Sequence, residues 1–193
     1  MATPFLLILS FMSLLNGQKN NMSVVLDIND QDVFTAMRTF LKSFIPTTVQ
    51  IVQAQDNKVP MPKGGFITMN NTGMDRLSFN IDNYQSVVQG KTVLTPTKYS
   101  MQLDFYGPSS QIWAVETMAL FRDEYATQIF PSNIQPLYAD DPIQIPLIDG
   151  EAQYEQRWKL VVSLQYNPTL STQQQSMQAV NIGLAPIDQT FKP

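Results

Sequence analysis

The 193-residue chain contains no cysteine and no histidine. Their absence excludes disulfides, thiolate nucleophiles, Ser-His-Asp and Cys-His arrangements and the ordinary zinc sites. An enzyme of this composition is confined to carboxylates, lysine, tyrosine or a carboxylate-bound metal. Charge is also scarce, at 15% of residues, against roughly 25% in ordinary soluble domains. A net charge of −4 lacks the dense Lys/Arg footprint of a sequence-independent duplex binder. The apolar run Pro4–Leu15 falls short of the ~20 residues that a membrane-spanning helix needs.

What remains is 44% hydrophobic, in a chain long enough to bury a real core within one domain. A surface poor in charge is cheap to desolvate, which favours extended protein contacts. The Pro4–Leu15 run resembles the apolar centre of a signal peptide. However, no Lys or Arg precedes it, Lys19 is the first positive charge, and Leu15-Asn16-Gly17 is a poor cleavage site. Residues 1–22 are therefore read as an apolar arm, or as an extension ahead of a start at Met22. An export signal is the alternative. Residues 23–193 read as a single domain.

Periodicity outlines that domain. Val33, Met37, Phe40 and Phe44 recur at helical spacing over Asp30–Phe44, with Asp30 as N-cap, Arg38 and Lys42 facing away, and Pro46 as terminator. A strand is expected around Val49–Gln53. The Asn70-Asn71-Thr72-Gly73 turn chemistry predicts a hairpin of Gly65–Asn70 with Met74–Ile81, the second strand half-buried through Leu77, Phe79 and Ile81. Lys98–Tyr106 and Arg157–Tyr166 alternate most strongly.

Between these two strands, one helix is expected to begin with Pro108 in its first turn. Its inner face carries Ala114, Met118, Phe121, Tyr125 and Ile129. Three prolines make Ser132–Gly150 an irregular connection, a short helical turn is expected over Ser171–Gln178, and Val180, Ile182 and Leu184 suggest an edge strand. The fold class is α+β: a mostly antiparallel sheet packed on two main amphipathic helices, with an N-terminal arm or extension.

No reaction motif emerges. Asp140-Asp141 has no His or third carboxylate beside it and reads as an Asp-Asp-Pro turn. Gly64-Gly65 beside Lys63 lacks phosphate-loop spacing. Tyr99, Tyr106, Trp113 and Tyr138 have no interleaved Lys or Arg, so they read as packing residues rather than a base-stacking platform. Val59-Pro-Met-Pro-Lys63 is stiffened by two prolines around an adaptable methionine, which suits either docking or a rigid connection. Neither a cofactor nor a metal is implied.

Five segments, in order, carry a family resemblance: Gln55–Gly65, Leu120–Ala126, Pro136–Pro142, Glu151–Trp158 and Leu164–Pro168. Together they resemble the neck or tail-terminator proteins of tailed bacteriophages, over roughly Asp30–Asp188. The resemblance implies a structural virion protein rather than an enzyme. It would form a homo-oligomeric ring, usually a hexamer, at the head-proximal end of the tail. Implied partners are further copies of itself, the tail tube protein with or without the sheath, and the head-completion or connector protein; DNA is only transiting cargo. Contacts would come from Gln55, Asp56, Asn57, Lys58, Pro60, Met61, Pro62 and Lys63, and from Pro136, Leu137, Tyr138, Asp140 and Asp141. Arg122 and Asp123 would be ion-pair partners. The alternative from another class is an exported monomeric binding protein that uses residues 5–15 as its signal.

Overall fold

A computed structural model of the protein describes residues 24–54, 62–85, 90–148 and 154–174. The chain enters through β1 (Val25–Leu26), α1 (Asp30–Lys42), β2 (Gln50–Gln53) and β3 (Phe66–Arg76). β4 (Ile81–Gln85), β5 (Gly90–Leu94) and β6 (Thr97–Tyr106) follow, then α2 (Ser110–Phe121) and α3 (Glu124–Ile129). The remaining strands are β7 (Ile134–Ala139), β8 (Ile143–Gln144), β9 (Leu147–Ile148), β10 (Tyr154–Glu155), β11 (Arg157–Tyr166) and β12 (Thr169–Gln173).

The principal sheet runs β2-β3-β6-β11-β7, with β8 also lying against β11. Only β2 and β3 are parallel in it. β6 and β11 pair in unbroken register from Tyr106 opposite Arg157 to Thr97 opposite Tyr166. Their alternation works as the sequence predicts. Tyr99, Met101, Leu103 and Phe105 join Leu160, Val162 and Leu164 in the core, all closed to solvent. The α+β architecture of a mostly antiparallel sheet against two main helices stands.

α1 buries Val33, Phe34, Met37, Phe40 and Leu41 on the stripe that its spacing predicts. Its cap lies one residue earlier than expected. Asn29, not Asp30, accepts from the Asp32 backbone N–H at 3.2 Å, while Asp32 accepts from the Asn29 N–H at 2.8 Å, a reciprocal capping box. This frees Asp30 to accept from the Tyr99 hydroxyl and from Asn71 Nδ2. The Tyr166 hydroxyl meanwhile donates to the Ile28 carbonyl at 2.8 Å. Both tyrosines fasten the start of α1 to the sheet. Burial, and for Tyr99 the hydrogen bond to Asp30, pushes both phenols above their ordinary range. Arg38 does not face fully away, because its Nε is buried.

Several other expectations are corrected. Asn70–Gly73 is not a turn: β3 continues through it to Arg76, with a bulge between Asn71 and Gly73 that absorbs the awkward residues. Pairing with β6 on both sides of the bulge outweighs the local turn chemistry. Leu77, Phe79 and Ile81 are exposed rather than half-buried, Phe79 by 89%. Pro108 precedes the Ser109 cap instead of sitting in the first turn. The single second helix is broken at Arg122-Asp123, where Asp123 is extended and α3 starts afresh. Ser132–Gly150 is not irregular but carries β7, β8 and β9. Pro136 is accommodated because β7 is an edge strand whose register slips beside it. Residues 169–173 are strand β12, not the start of a helical turn. The arm at 1–22 and the strand expected from Val180, Ile182 and Leu184 lie outside the described residues.

A second sheet, β1-β12-β5-β4, was not expected. It continues the first: β3 leads into β4, β5 into β6, and β11 into β12. The break falls where Pro96 and Pro168 lack the N–H that a continuous ladder needs. Two bonds still cross it, from Leu77 N–H to Pro96 O at 2.9 Å and from Thr95 N–H to Pro168 O at 3.1 Å.

Candidate docking surfaces

Among the described residues, no three Asp or Glu side chains converge as a metal site would require. The acidic pair expected to carry contacts is instead half engaged within the chain. Arg122 ends α2 and turns its guanidinium onto β7. It donates through Nε at 2.9 Å and Nη2 at 2.6 Å to the Ala139 carbonyl, and through Nη2 at 2.9 Å to Asp141 Oδ1. Asp141 is 85% exposed, so its ion pair is worth at most about 1 kcal/mol. The part-buried, charge-assisted bonds to Ala139 weigh more. Arg122→Ala is expected to cost about 2 kcal/mol, and Asp141→Asn less than about 1 kcal/mol, read as urea midpoints. Equal costs would assign the staple to the ion pair.

Other predicted contact residues fall in separate places. Gln55, Asp56, Asn57, Lys58, Pro60 and Met61 lie outside the described residues. Pro62 is half-buried, and Lys63 is exposed just before Gly64, whose φ of +88° suits glycine. On β7, Leu137 and Tyr138 are exposed and Pro136 is half-buried; Asp140 donates its N–H to the Val161 carbonyl at 2.8 Å. Asp123 opens α3 and has no part in the Arg122 staple. The fold brings together Arg122, Ala139 and Asp141. It does not bring Lys63 to them, because β6 and β11 separate β3 from β7.

The residues before β3 and α2 are held by close packing. Gly107 has φ +103°, and a Cβ there would come within 2.9 Å of Gly65 Cα. A Cβ on Gly65 would meet Trp113 Cη2 at 2.6 Å. Both glycines therefore fix how the stiff Pro62–Gly65 connection meets α2.

The sheet face turned away from the helices is polar and cross-braced. Arg157 donates to Asp104 Oδ1 through Nε at 3.2 Å and Nη2 at 3.0 Å, and Gln102 Nε2 donates to Asp104 Oδ2 at 2.8 Å. The Arg157 guanidinium also lies 5.6 Å from the Tyr106 ring centroid, and Tyr106 stacks on Phe66 at 4.4 Å. Farther along, Lys98 pairs with Asp75 at 2.9 Å.

The second sheet is the more telling surface. None of the described side chains in β1, β4, β5 or β12 is buried. On one face Leu26, Leu170 and Val93 stand in register across three strands, ending at the Asp82–Lys91 ion pair of 2.7 Å. A sheet is stable when an apolar face is covered, and here nothing in the chain's described residues covers it. Sequence reasoning missed this surface. The available signal was the pair Pro96 and Pro168, each three residues or fewer from a strand, marking one shared break in two adjacent strands.

A family model described as phage neck terminator protein matches residues 31–189. No curated protein matches. Among solved structures, the chain is similar to the sheath/tube terminator of an extracellular contractile injection system, PVC, seen by cryo-EM in its extended state. That similarity is 10% in identity with a TM-score of 0.46, and covers 85% of this chain. It spans 66% of the other chain, just under two thirds of its length.

Proposed function

Since the chain belongs to the phage neck terminator family, we propose that it is a structural virion protein that ends the tail at the neck. In this reading, copies assemble into a ring, a hexamer, seated on the head-proximal end of the tail tube. The ring covers the growing end, so further tube subunits find no surface to add to. Its opposite side receives the head-completion or connector protein, and the sheath, where there is one, ends at the same level. DNA passes as cargo, which a net charge of −4 favours because few fixed cations would hold the phosphates. The work is done by surfaces, without catalysis or a cofactor.

The single observation supporting self-assembly is the second sheet, which no described residue covers. Three strands of five residues and one of two give roughly 300 Å² per face. Two faces with the exposed Leu77–Phe79 segment approach the roughly 800 Å² per partner of a stable interface. Exposed Leu137, Tyr138 and Ile143 on the far edge, and Ile112 and Val115 on α2, are further apolar surface for tube or connector. We further propose that residues 23–193 act as one domain and that Pro62, Lys63 and the Pro136–Asp141 segment contribute contacts. The family match beginning at residue 31 agrees with residues 1–22 being an arm or extension.

The test is the native mass of the full-length protein, by light scattering, with and without tail-tube protein. A species near six times 21.8 kDa is expected, together with arrest of tube polymerisation at substoichiometric amounts. A chain that stays monomeric beside tube ends and leaves their growth unchanged would overturn the reading.

A further inference from the structure

Arg76 ends β3 exposed and, among the described residues, outside every ion pair. The register carries its row across the principal sheet: Arg76 lies opposite Thr97, Thr97 opposite Tyr166, and Tyr166 opposite Ile134 at the start of β7. Tyr166 and Ile134 belong to the core under the helices, so the row is on the helix-facing side. One edge of that row therefore ends in an unpaired cation.

The other edge ends in a groove of about 480 Å³ between α1 and the α3–β7 connection. Buried Ile28, Ala36 and Ile134 line its apolar part. Asp27 and Asp32 supply its charge. Each spends one carboxylate oxygen within the chain, Asp27 on the Thr169 N–H at 2.7 Å and Asp32 on the Asn29 N–H at 2.8 Å. The Thr35 and Thr39 hydroxyls donate to the Gln31 and Thr35 carbonyls, so they offer a guest only lone pairs. No Lys or Arg is among the lining residues. An apolar wall beneath carboxylate and hydroxyl acceptors fits the stem and head of an arginine.

Distance decides whose arginine fills it. β3 and β7 are three strand spacings apart, about 14 Å. Exposed charges act over about 8 Å in physiological salt, and the unbroken β6–β11 ladder holds the two edges apart. Arg76 therefore leaves its own groove unneutralised, whereas a neighbour set edge to edge brings the two ends of the row together. The surroundings agree in sign. Lys63 leads into β3, and Arg38 and Lys42 share the α1 stripe of Gln31, which accepts from Gln53 of β2 at 3.0 Å. On the β7 side Asp123, Glu124 and Asp140 are exposed, gathered where Arg122 donates to the Ala139 carbonyl. A basic flank and an acidic flank on one chain are complementary head to tail.

We propose that Arg76 of one copy seats in the Asp27–Asp32 groove of the next, joining the β3 side of one chain to the β7 side of its neighbour. The contact is heterologous and closes into a ring where its rotation permits. The inference rests on the self-assembly proposed above and names one of its contacts.

Two full-length variants test it by native mass across a dilution series. Arg76→Glu reverses the charge at the end of β3. Asp27→Lys with Thr35→Lys makes the groove basic, and both positions are exposed. Each variant alone sets like charges together and is expected to raise the concentration of half-assembly about tenfold or more. Mixed, the two are expected to assemble in alternation, since each groove again meets a side chain of opposite sign. One chain carrying all three substitutions should assemble by itself, and that rescue separates the contact from a folding defect. Assembly at the wild-type concentration in either variant alone, or loss without rescue in the mixture and the triple variant, would overturn the contact and leave self-assembly standing. A wild-type chain that stays monomeric with and without tail-tube ends would overturn both.

Discussion

Phe40→Ala is expected to lower stability by about 3–5 kcal/mol, the largest loss from any single truncation considered for this chain. Phe40 is fully buried on α1. Its ring centroid lies 5.3 Å from Phe44, 5.8 Å from Phe121, 6.4 Å from Tyr125 and 5.4 Å from Phe130. Those partners come from the end of α1, the end of α2, and α3 with its exit, so one side chain ties three helical segments together. Truncation opens a cavity that none of them can fill without giving up its own packing, and each edge-on aromatic contact adds about 0.5–1.5 kcal/mol beyond burial. Thermal unfolding should fall by roughly 10 °C or more for a chain of this size. Phe40→Leu should recover much of the loss. A cost for the alanine variant under about 1 kcal/mol would mean that the helices close over the gap.

Arg157→Ala comes second, at about 3 kcal/mol, because it leaves a buried carboxylate without its cation. Asp104 is 4% exposed. Among the described residues it keeps only the Gln102 donor once the guanidinium is gone. The Arg157 side chain retains 23% exposure, so water relieves part of the penalty and the cost lies at the low end of the range for buried pairs. Loss of the contact over Tyr106 adds to it. Replacing both partners together, with Asp104→Leu and Arg157→Met, should recover most of the stability, since neither charge is then stranded. A double variant as unstable as Arg157→Ala would show that the pair's worth lies in packing rather than in mutual charge compensation. Chemical denaturation of the three variants, with native mass measured alongside, separates folding from assembly.

The two predictions come from opposite faces of one sheet, and those faces were unequally legible. The helix-facing side was plain, because β6 and β11 each alternate over ten residues and a period of two leaves little choice of face. The α1 stripe was plain for the same reason at helical period. The brace on the other face was not visible. Asp104 and Arg157 are 53 positions apart and meet only through the β6–β11 register. Arg122 shows the same limit: its residue type suggests an ion pair, but only the turn after α2 aims it at the chain's own Ala139 and Asp141.

Local signals failed where pairing overrode them. Asn70–Gly73 has the composition of a hairpin turn, yet it lies inside a strand held to β6 on both sides of the bulge. Pro136 reads as a breaker, yet an edge strand with a register slip carries it. By itself the sequence determined that the chain has no histidine or thiol chemistry, that its core strands and first helix bury the stripes they do, and that five ordered segments resemble a neck terminator. These follow from composition and short-range periodicity, which need no partner. Only the tertiary structure decided that β3 runs on through its glycine, that prolines split one ribbon into two sheets, and that no described residue covers the second sheet. Those outcomes depend on which strands lie side by side, and strand pairing is settled by contacts far apart in the chain.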